Sequence, residues 1–226
     1  MESTLHRQLK ALYAGDESAQ EVEVDGYRID VVDGGELIEI QRASLSSIRT
    51  KVEVLLRSHR VTVVKPLAAR KLLIKRAGKG RAITSKRYSP VRQTIYDLFL
   101  ELVHFVPVFP HPRLTLEVVL TEQEEFRLPR RKTRFRGKDY RVEDRFLTDV
   151  TGRRIFRTAD DLQELLPDDL PAEFTTDDIA RLKSIPRWLA QKMAYCLRKI
   201  EAIQVVGKAG NAMVYRAETD EWRIAS

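Results

Sequence analysis

The strongest constraint on the fold is a change of hydrophobic period early in the chain. Within Thr4 to Ala14, Leu5, Leu9, Leu12 and Tyr13 fall at i, i+4, i+7 and i+8. That is one face of a 3.6-residue period and predicts a helix. The run GDES breaks it, and EVEVDGYRIDVVDGGELIEIQ then reads as three short strands. Asp25-Gly26 and Gly34-Gly35 sit between the extended runs, where hairpin turns need residues that tolerate positive φ. A second helix is predicted over Ser44 to Ser58, with Ser44 as N-cap and Leu45, Ile48, Val52, Leu55 and Leu56 as its apolar stripe. VTVVKPL follows as a strand buried on both faces. The order helix, three strands, helix, strand predicts an α/β domain with a mixed sheet flanked by helices.

The middle of the chain predicts a basic α+β extension. KLLIKR reads as a strand and GKGRAITSKRYSP as a loop. Val91 to Val106 reads as a helix, LTLEVVLTEQEEF as a long strand, and RLPRRKTRFRGKDY as a basic loop or hairpin. In the last third, helices are predicted from Thr158, from Thr175 or Thr176, and over SIPRWLAQKMAYCLRKIEA. In the third of these, Leu189, Met193, Cys196, Leu197 and Ile200 share a face. A strand–GKAGN–strand hairpin ends the pattern. Three helices and a two-stranded hairpin follow the order of a winged helix-turn-helix. We therefore expect a core at 1–67, the extension at 68–150 and a winged helix at 151–226, with a boundary near Thr151.

Charge narrows the class of partner. The 226 residues carry a net charge of +7, and the excess is clustered. Lys65 to Arg92 holds ten Lys/Arg and no Asp/Glu, and Arg127 to Arg145 holds nine basic and three acidic residues. Glu21 to Glu39 and Asp160 to Asp178 are acidic. Two basic segments around acidic patches suit a chain that grips a phosphate backbone and offers carboxylates to a metal, so DNA is the expected partner. No apolar run approaches the ~20 residues of a membrane span, and the N-terminus lacks a signal-peptide core. A single cysteine, Cys196, makes no internal disulfide. A cytoplasmic, bacterial-type protein is expected, with no membrane partner and room for a homodimer.

Two constellations carry chemistry. Asp30 and Glu39 stand on adjacent strands of a hairpin, nine residues apart across Gly34-Gly35. Glu39 and Gln41, at i and i+2, share a face with Leu37, while Ile38 and Ile40 take the other. Two carboxylates with a backbone carbonyl and waters make an oxygen-rich site for Mg²⁺ or Mn²⁺. Such an ion polarises a phosphodiester and lowers the pKa of an attacking water.

On these residues the sequence resembles the PD-(D/E)XK nuclease superfamily. RIDVV…LIEIQRAS is most similar to its variant with glutamine at the lysine position, as in competence CoiA-like proteins. The resemblance covers Met1 to Leu67. It implies Asp30 and Glu39 as metal ligands, with the Ile40 carbonyl as a third donor. It places Gln41 at the lysine position and Glu2 at the acidic residue preceding the first helix. Gln41 can hydrogen-bond a water but brings no charge. Some families of the superfamily move the cation to the following helix, where Lys51 stands.

The second constellation is the face of the third C-terminal helix opposite its apolar stripe: Arg187, Gln191, Lys192, Tyr195 and Arg198. In a winged helix this element enters the major groove, where Arg reads guanine and Gln reads adenine. Lys208 and Asn211 occupy the wing tip. His6, His59, His104 and His111 show no ligand spacing, Cys196 falls on an apolar stripe, and GKGRAITSK lacks P-loop spacing, so no small-molecule cofactor is expected. Two functions fit the pattern. One is an Mg²⁺-dependent DNA endonuclease targeted by the winged helix. The other is a catalytically inactive nuclease-fold scaffold that binds or regulates DNA through it.

Overall fold

The computed structural model describes residues 3–15, 20–130 and 139–217. It is an α/β structure with a mixed multi-stranded sheet flanked by helices. The elements are α1 (Thr4–Ala11), β1 (Gln20–Val24), β2 (Tyr27–Asp33), β3 (Glu36–Ile40), α2 (Arg49–Leu55), β4 (Arg60–Arg76), β5 (Ile83–Tyr88), α3 (Leu98–Leu102), β6 (Leu114–Pro129), β7 (Tyr140–Phe156), α4 (Ala159–Gln163), α5 (Thr176–Leu182), α6 (Arg187–Lys199), β8 (Ile203–Ala209) and β9 (Ala212–Ala217). The chain forms two compact units, each built from separated segments. The first is Met1–Arg42, Thr62–Ile95 and Glu117–Arg154; the second is Ala43–Val61, Tyr96–Leu116 and Ile155–Ser226.

The first unit is organised by the large sheet, in the order β1-β2-β3-β4-β6-β7, with β5 paired to β4. β1, β2 and β3 form an antiparallel meander. Its two turns use left-handed backbone at Asp25, Gly26, Gly34 and Gly35, as expected. β3 and β4 are neighbours joined through a helical crossover, the kind of connection that parallel neighbours need. Leu5 and Leu9 of α1 pack on Val31, Ile38, Ile40, Val64 and Val119 of the sheet. α1 is shorter than expected, and Leu12 is 47% exposed just past its end.

Several expectations for the middle of the chain are corrected. β4 and KLLIKR are one 17-residue strand, so position 67 lies inside it. GKGRAITSKRYSP is not all loop, because residues 83–88 pair with β4 as β5. The helix expected from Val91 begins only with a 3-10 turn at Ile95–Asp97 and continues as α3. The residues on either side of Val91 instead bond β4. The Ser89 N–H donates to the Lys71 carbonyl at 2.8 Å and the Gln93 N–H to the Ala68 carbonyl at 3.0 Å. Val91 is consequently 70% exposed. The boundary expected near Thr151 lies inside β7.

In the second unit, the helix expected over 44–58 is a 3-10 turn at Leu45–Ser47 followed by α2, and all five residues of its stripe are buried. α6 packs on α5, α3 and α4. Its stripe of Leu189, Met193, Cys196, Leu197 and Ile200 is buried as the period requires. The Cys196 thiol lies 3.8 Å from the Phe99 carbonyl, and burial pushes its pKa up to about 12, which makes it a packing residue. Thr158 and Asp161 close a capping box at the start of α4. β8 and β9 form the expected hairpin. Phe174, ahead of α5, adds a bridge to Tyr215 through two backbone hydrogen bonds of 2.9 and 2.7 Å.

One face of β6 buries polar side chains. Thr121, Gln123 and Glu125 are each less than a tenth exposed. The Thr121 hydroxyl donates to the Leu67 carbonyl at 3.0 Å and accepts from the Gln123 amide at 2.8 Å. A buried polar group left without a partner costs about 1–3 kcal/mol. Thr121→Val is therefore expected to destabilise the fold by about that amount, read as a lower urea midpoint with an unchanged m-value.

Candidate functional site

Asp30 sits where β2 and β3 stop pairing. Their register runs from Asp33↔Glu36 to Val31↔Ile38. One residue further, the Ile40 N–H donates to Asp30 Oδ2 at 2.8 Å, so a side chain replaces the backbone as its partner. The other carboxylate oxygen, Oδ1, lies 3.0 Å from His6 Nε2 on α1. Burial alone would raise the Asp30 pKa. The bonds from His6 and Ile40 and the charge of Lys10 outweigh burial and hold the carboxyl below its usual range. The side chain is still 14% exposed, so an ionised carboxylate faces solvent at a fixed point.

The other expected residues fall around this point in different ways. Glu39, half-buried on β3, shares a strand face with Leu37 and Gln41, while Ile38 and Ile40 enter the core beneath α1. Gln41 is 9% exposed, and its N–H donates to the Val64 carbonyl at 2.8 Å, which registers the end of β3 on β4. The contact observed for Ile40 is its N–H to Asp30, whereas the expected donor was its carbonyl. Lys51 lies on α2, in the second unit. Glu2 lies outside the described residues.

His6 was missed. It lacks ligand spacing to any other histidine, and only the packing of α1 on the meander brings it to Asp30. The signal available was its place beside Leu5, at the margin of the apolar stripe. Among the described residues, no group of three or more His, Cys, Asp or Glu side chains gathers as a metal cage. Each Asp30 oxygen has accepted one bond and keeps lone-pair capacity, so the carboxylate could accept a cation.

In the second unit, Arg187, Gln191, Tyr195 and Arg198 line the exposed side of α6, with Lys192 half-buried beside them. Arg187 Nε is 2.8 Å from Asp177, a pair more than half exposed on both sides. Such a pair contributes little to stability and is easily exchanged for another anion. Trp188 is 52% exposed on the same helix. Lys208 and Asn211 are exposed around Gly210, at the tip of the β8–β9 hairpin.

Because the folded Asp30 pKa is depressed, its ionised form contributes stability above the unfolded pKa of about 3.9. That contribution is lost as pH falls through the lower folded value. Urea unfolding of wild type and Asp30→Asn at a series of pH values is expected to show wild-type stability falling more steeply than that of the variant below about pH 4. Parallel profiles would mean that the carboxylate is not held as described.

Comparison with known proteins gives a family and a relative. The chain is 33% identical over 181 residues to an uncharacterized protein of Treponema pallidum (strain Nichols), an alignment covering 80% of this chain and 72% of the relative. No solved structure matches. Residues 3–157, which carry α1, the meander, Asp30 and the polar face of β6, match the family described as "Domain of unknown function (DUF8091)", and the chain belongs to that family.

Proposed function

We propose that the protein is a metal-dependent nuclease with a PD-(D/E)XK-like core, and that a winged helix at its C-terminus holds DNA. The observation that carries the reading is Asp30. Its carboxylate is ionised, solvent-facing and fixed at the split between β2 and β3, with Glu39 and Gln41 on the neighbouring strand. The order helix, three-stranded meander, crossover helix, strand supports the same fold reading. So does the order α4, α5, α6 and hairpin, with the extra bridge at Phe174, for the winged helix.

Asp30, held in place by His6, and Glu39 would hold the ion, Mg²⁺ or Mn²⁺, with waters completing its shell. When bound, the ion supplies charge to the scissile phosphate and acidity to its water. The chain's own residues do the rest. The Ile40 N–H fixes one Asp30 oxygen, so the carboxylate cannot rotate away. The Gln41 amide orients a water by hydrogen bonding, without charge. The resemblance implies Lys51, on α2, for the missing cation. The basic stretch along β4 and β5 and the exposed face of α6 would contact the backbone electrostatically.

The test is cleavage of supercoiled, linear and branched DNA in Mg²⁺ or Mn²⁺. Wild type is expected to nick at least one of these substrates. Asp30→Asn and Glu39→Ala are each expected to lose on the order of 10²–10³-fold or more in rate, and Lys51→Ala a smaller factor. Duplex binding without cleavage of any substrate would favour the inactive scaffold. Binding tests the winged helix separately. Lys208→Ala with Arg198→Ala is expected to weaken duplex binding for all sequences alike and to reduce the salt slope by about 1 per lost phosphate contact. An unchanged slope would remove this face from the DNA-binding surface.

A further inference from the structure

The first unit contains a pocket of about 190 Å³. Its polar lining is Arg42, Lys71, Gln93, Gln123 and Arg145, and among the described residues no acidic side chain lines it. These residues come from the end of β3, from β4, from the segment along its edge, from β6 and from β7. We propose that this pocket binds a phosphate group. Resting on the nuclease reading above, we take the terminal phosphate of a nucleic-acid strand to be its substrate form.

The chemistry of the walls carries the argument. Gln123 is buried and the Lys71 and Arg145 side chains are 26% and 31% exposed, and bringing partly desolvated cations and amides together is costly unless they are hydrogen-bonded or meet an anion. Two of the cations, Lys71 and Arg145, are positioned by Glu125, which is 3% exposed. Its carboxylate accepts from Arg145 Nε at 2.8 Å and from Arg127 Nε at 2.7 Å, and Lys71 Nζ lies 3.8 Å away. Burial alone would raise the Glu125 pKa. The bonds from Arg145 and Arg127 outweigh it and keep the carboxyl below its usual range, so the anchor stays charged.

Glu125 takes one N–H of Arg145, and a guanidinium has five, in a fork that suits phosphate oxygens. Lys71 adds a point charge. Gln123 and Gln93 add amides: Gln123 donates to Thr121, and the Gln93 carbonyl accepts the Ala68 N–H at 2.8 Å, which fixes each in place. Three cations and two amides around a half-open space, with the Glu125 carboxylate outside its lining, complement a compact dianion.

Two variants isolate the pocket's charge. Lys71→Gln removes one cation. Gln93→Glu keeps the oxygen that accepts the Ala68 N–H and adds a negative charge facing the ligand. Binding of 5′-phosphorylated, 3′-phosphorylated and unphosphorylated copies of one short single strand is measured by fluorescence anisotropy in EDTA, where no cleavage occurs. Thermal unfolding with inorganic phosphate, at matched ionic strength, is measured beside it.

Wild type is expected to bind one phosphorylated end about tenfold or more tighter than the unphosphorylated strand, and each variant to lose that preference. Each preference is read within one protein, so a variant's lower stability does not imitate its loss. If a variant does not fold, the wild-type measurements decide. A rise in Tm with inorganic phosphate, absent in Gln93→Glu and without preference for an end, would establish the phosphate pocket with a free anion as its ligand. No preference for an end and no phosphate-dependent Tm would overturn the proposal. Cleavage without end preference would leave the nuclease standing and remove the pocket's role. End preference without cleavage in Mg²⁺ or Mn²⁺ would do the reverse.

Discussion

A carboxylate that is only 14% exposed needs partners for its charge, and Asp30 finds them on two other elements at once. Its position at the end of the β2–β3 ladder means that Ile40 has lost its backbone partner on that side, and the side chain supplies one. His6 brings α1 to the same point. The apolar side of α1 then falls on Val31, Ile38 and Ile40, directly beside the carboxylate. One ionised group thus fixes where the meander opens and where the helix sits over it. The arrangement has the features of a functional carboxylate: it is charged, rigid and still open to solvent.

The polar face of β6 imposes a second constraint. Val119 of this strand lies in the core under α1, and Thr121, Gln123 and Glu125 continue the same alternation outward along the strand. The face therefore changes from apolar to polar without becoming exposed. That is stable because every polar group along it is answered. Thr121 bonds Leu67, Gln123 bonds Thr121, and Glu125 gathers Arg127, Arg145 and Lys71. Arg127 in turn stacks over Tyr140, 3.8 Å from the ring centroid, which ties the start of β7 to the end of β6.

The elements that were legible in the sequence are those with a local cause. The stripes of α1, α2 and α6 carry their own period, the two positive-φ turns carry their own glycines, and Thr158 and Thr175 stand where caps belong. What was not legible has a distant cause. The stretch from Val91 looks helical because Val91 continues an apolar spacing, yet the N–H groups of Ser89 and Gln93 on either side of it find β4 first. LTLEVVLTEQEEF reads as a long strand, but nothing local says which of its acids is buried. Glu125 is buried because its countercharges arrive from Lys71 and Arg145, segments far along the chain. His6 was passed over for the same reason: its partner is 24 residues away, and only helix packing makes them neighbours.

α1 also relates the two polar places of the first unit to each other. Ser3 caps the helix by accepting the His6 N–H at 3.3 Å, and the same hydroxyl accepts from Arg42, which lines the pocket. Leu5, the next lining residue, is a chain neighbour of His6, which holds Asp30. At about 1.5 Å of rise per residue, consecutive positions on a helix cannot be displaced independently. A shift of α1 that moved His6 from Asp30 would move Leu5 in the pocket wall and the cap that orients Arg42. The carboxylate and the cationic pocket are thus held in one register by a single turn of helix.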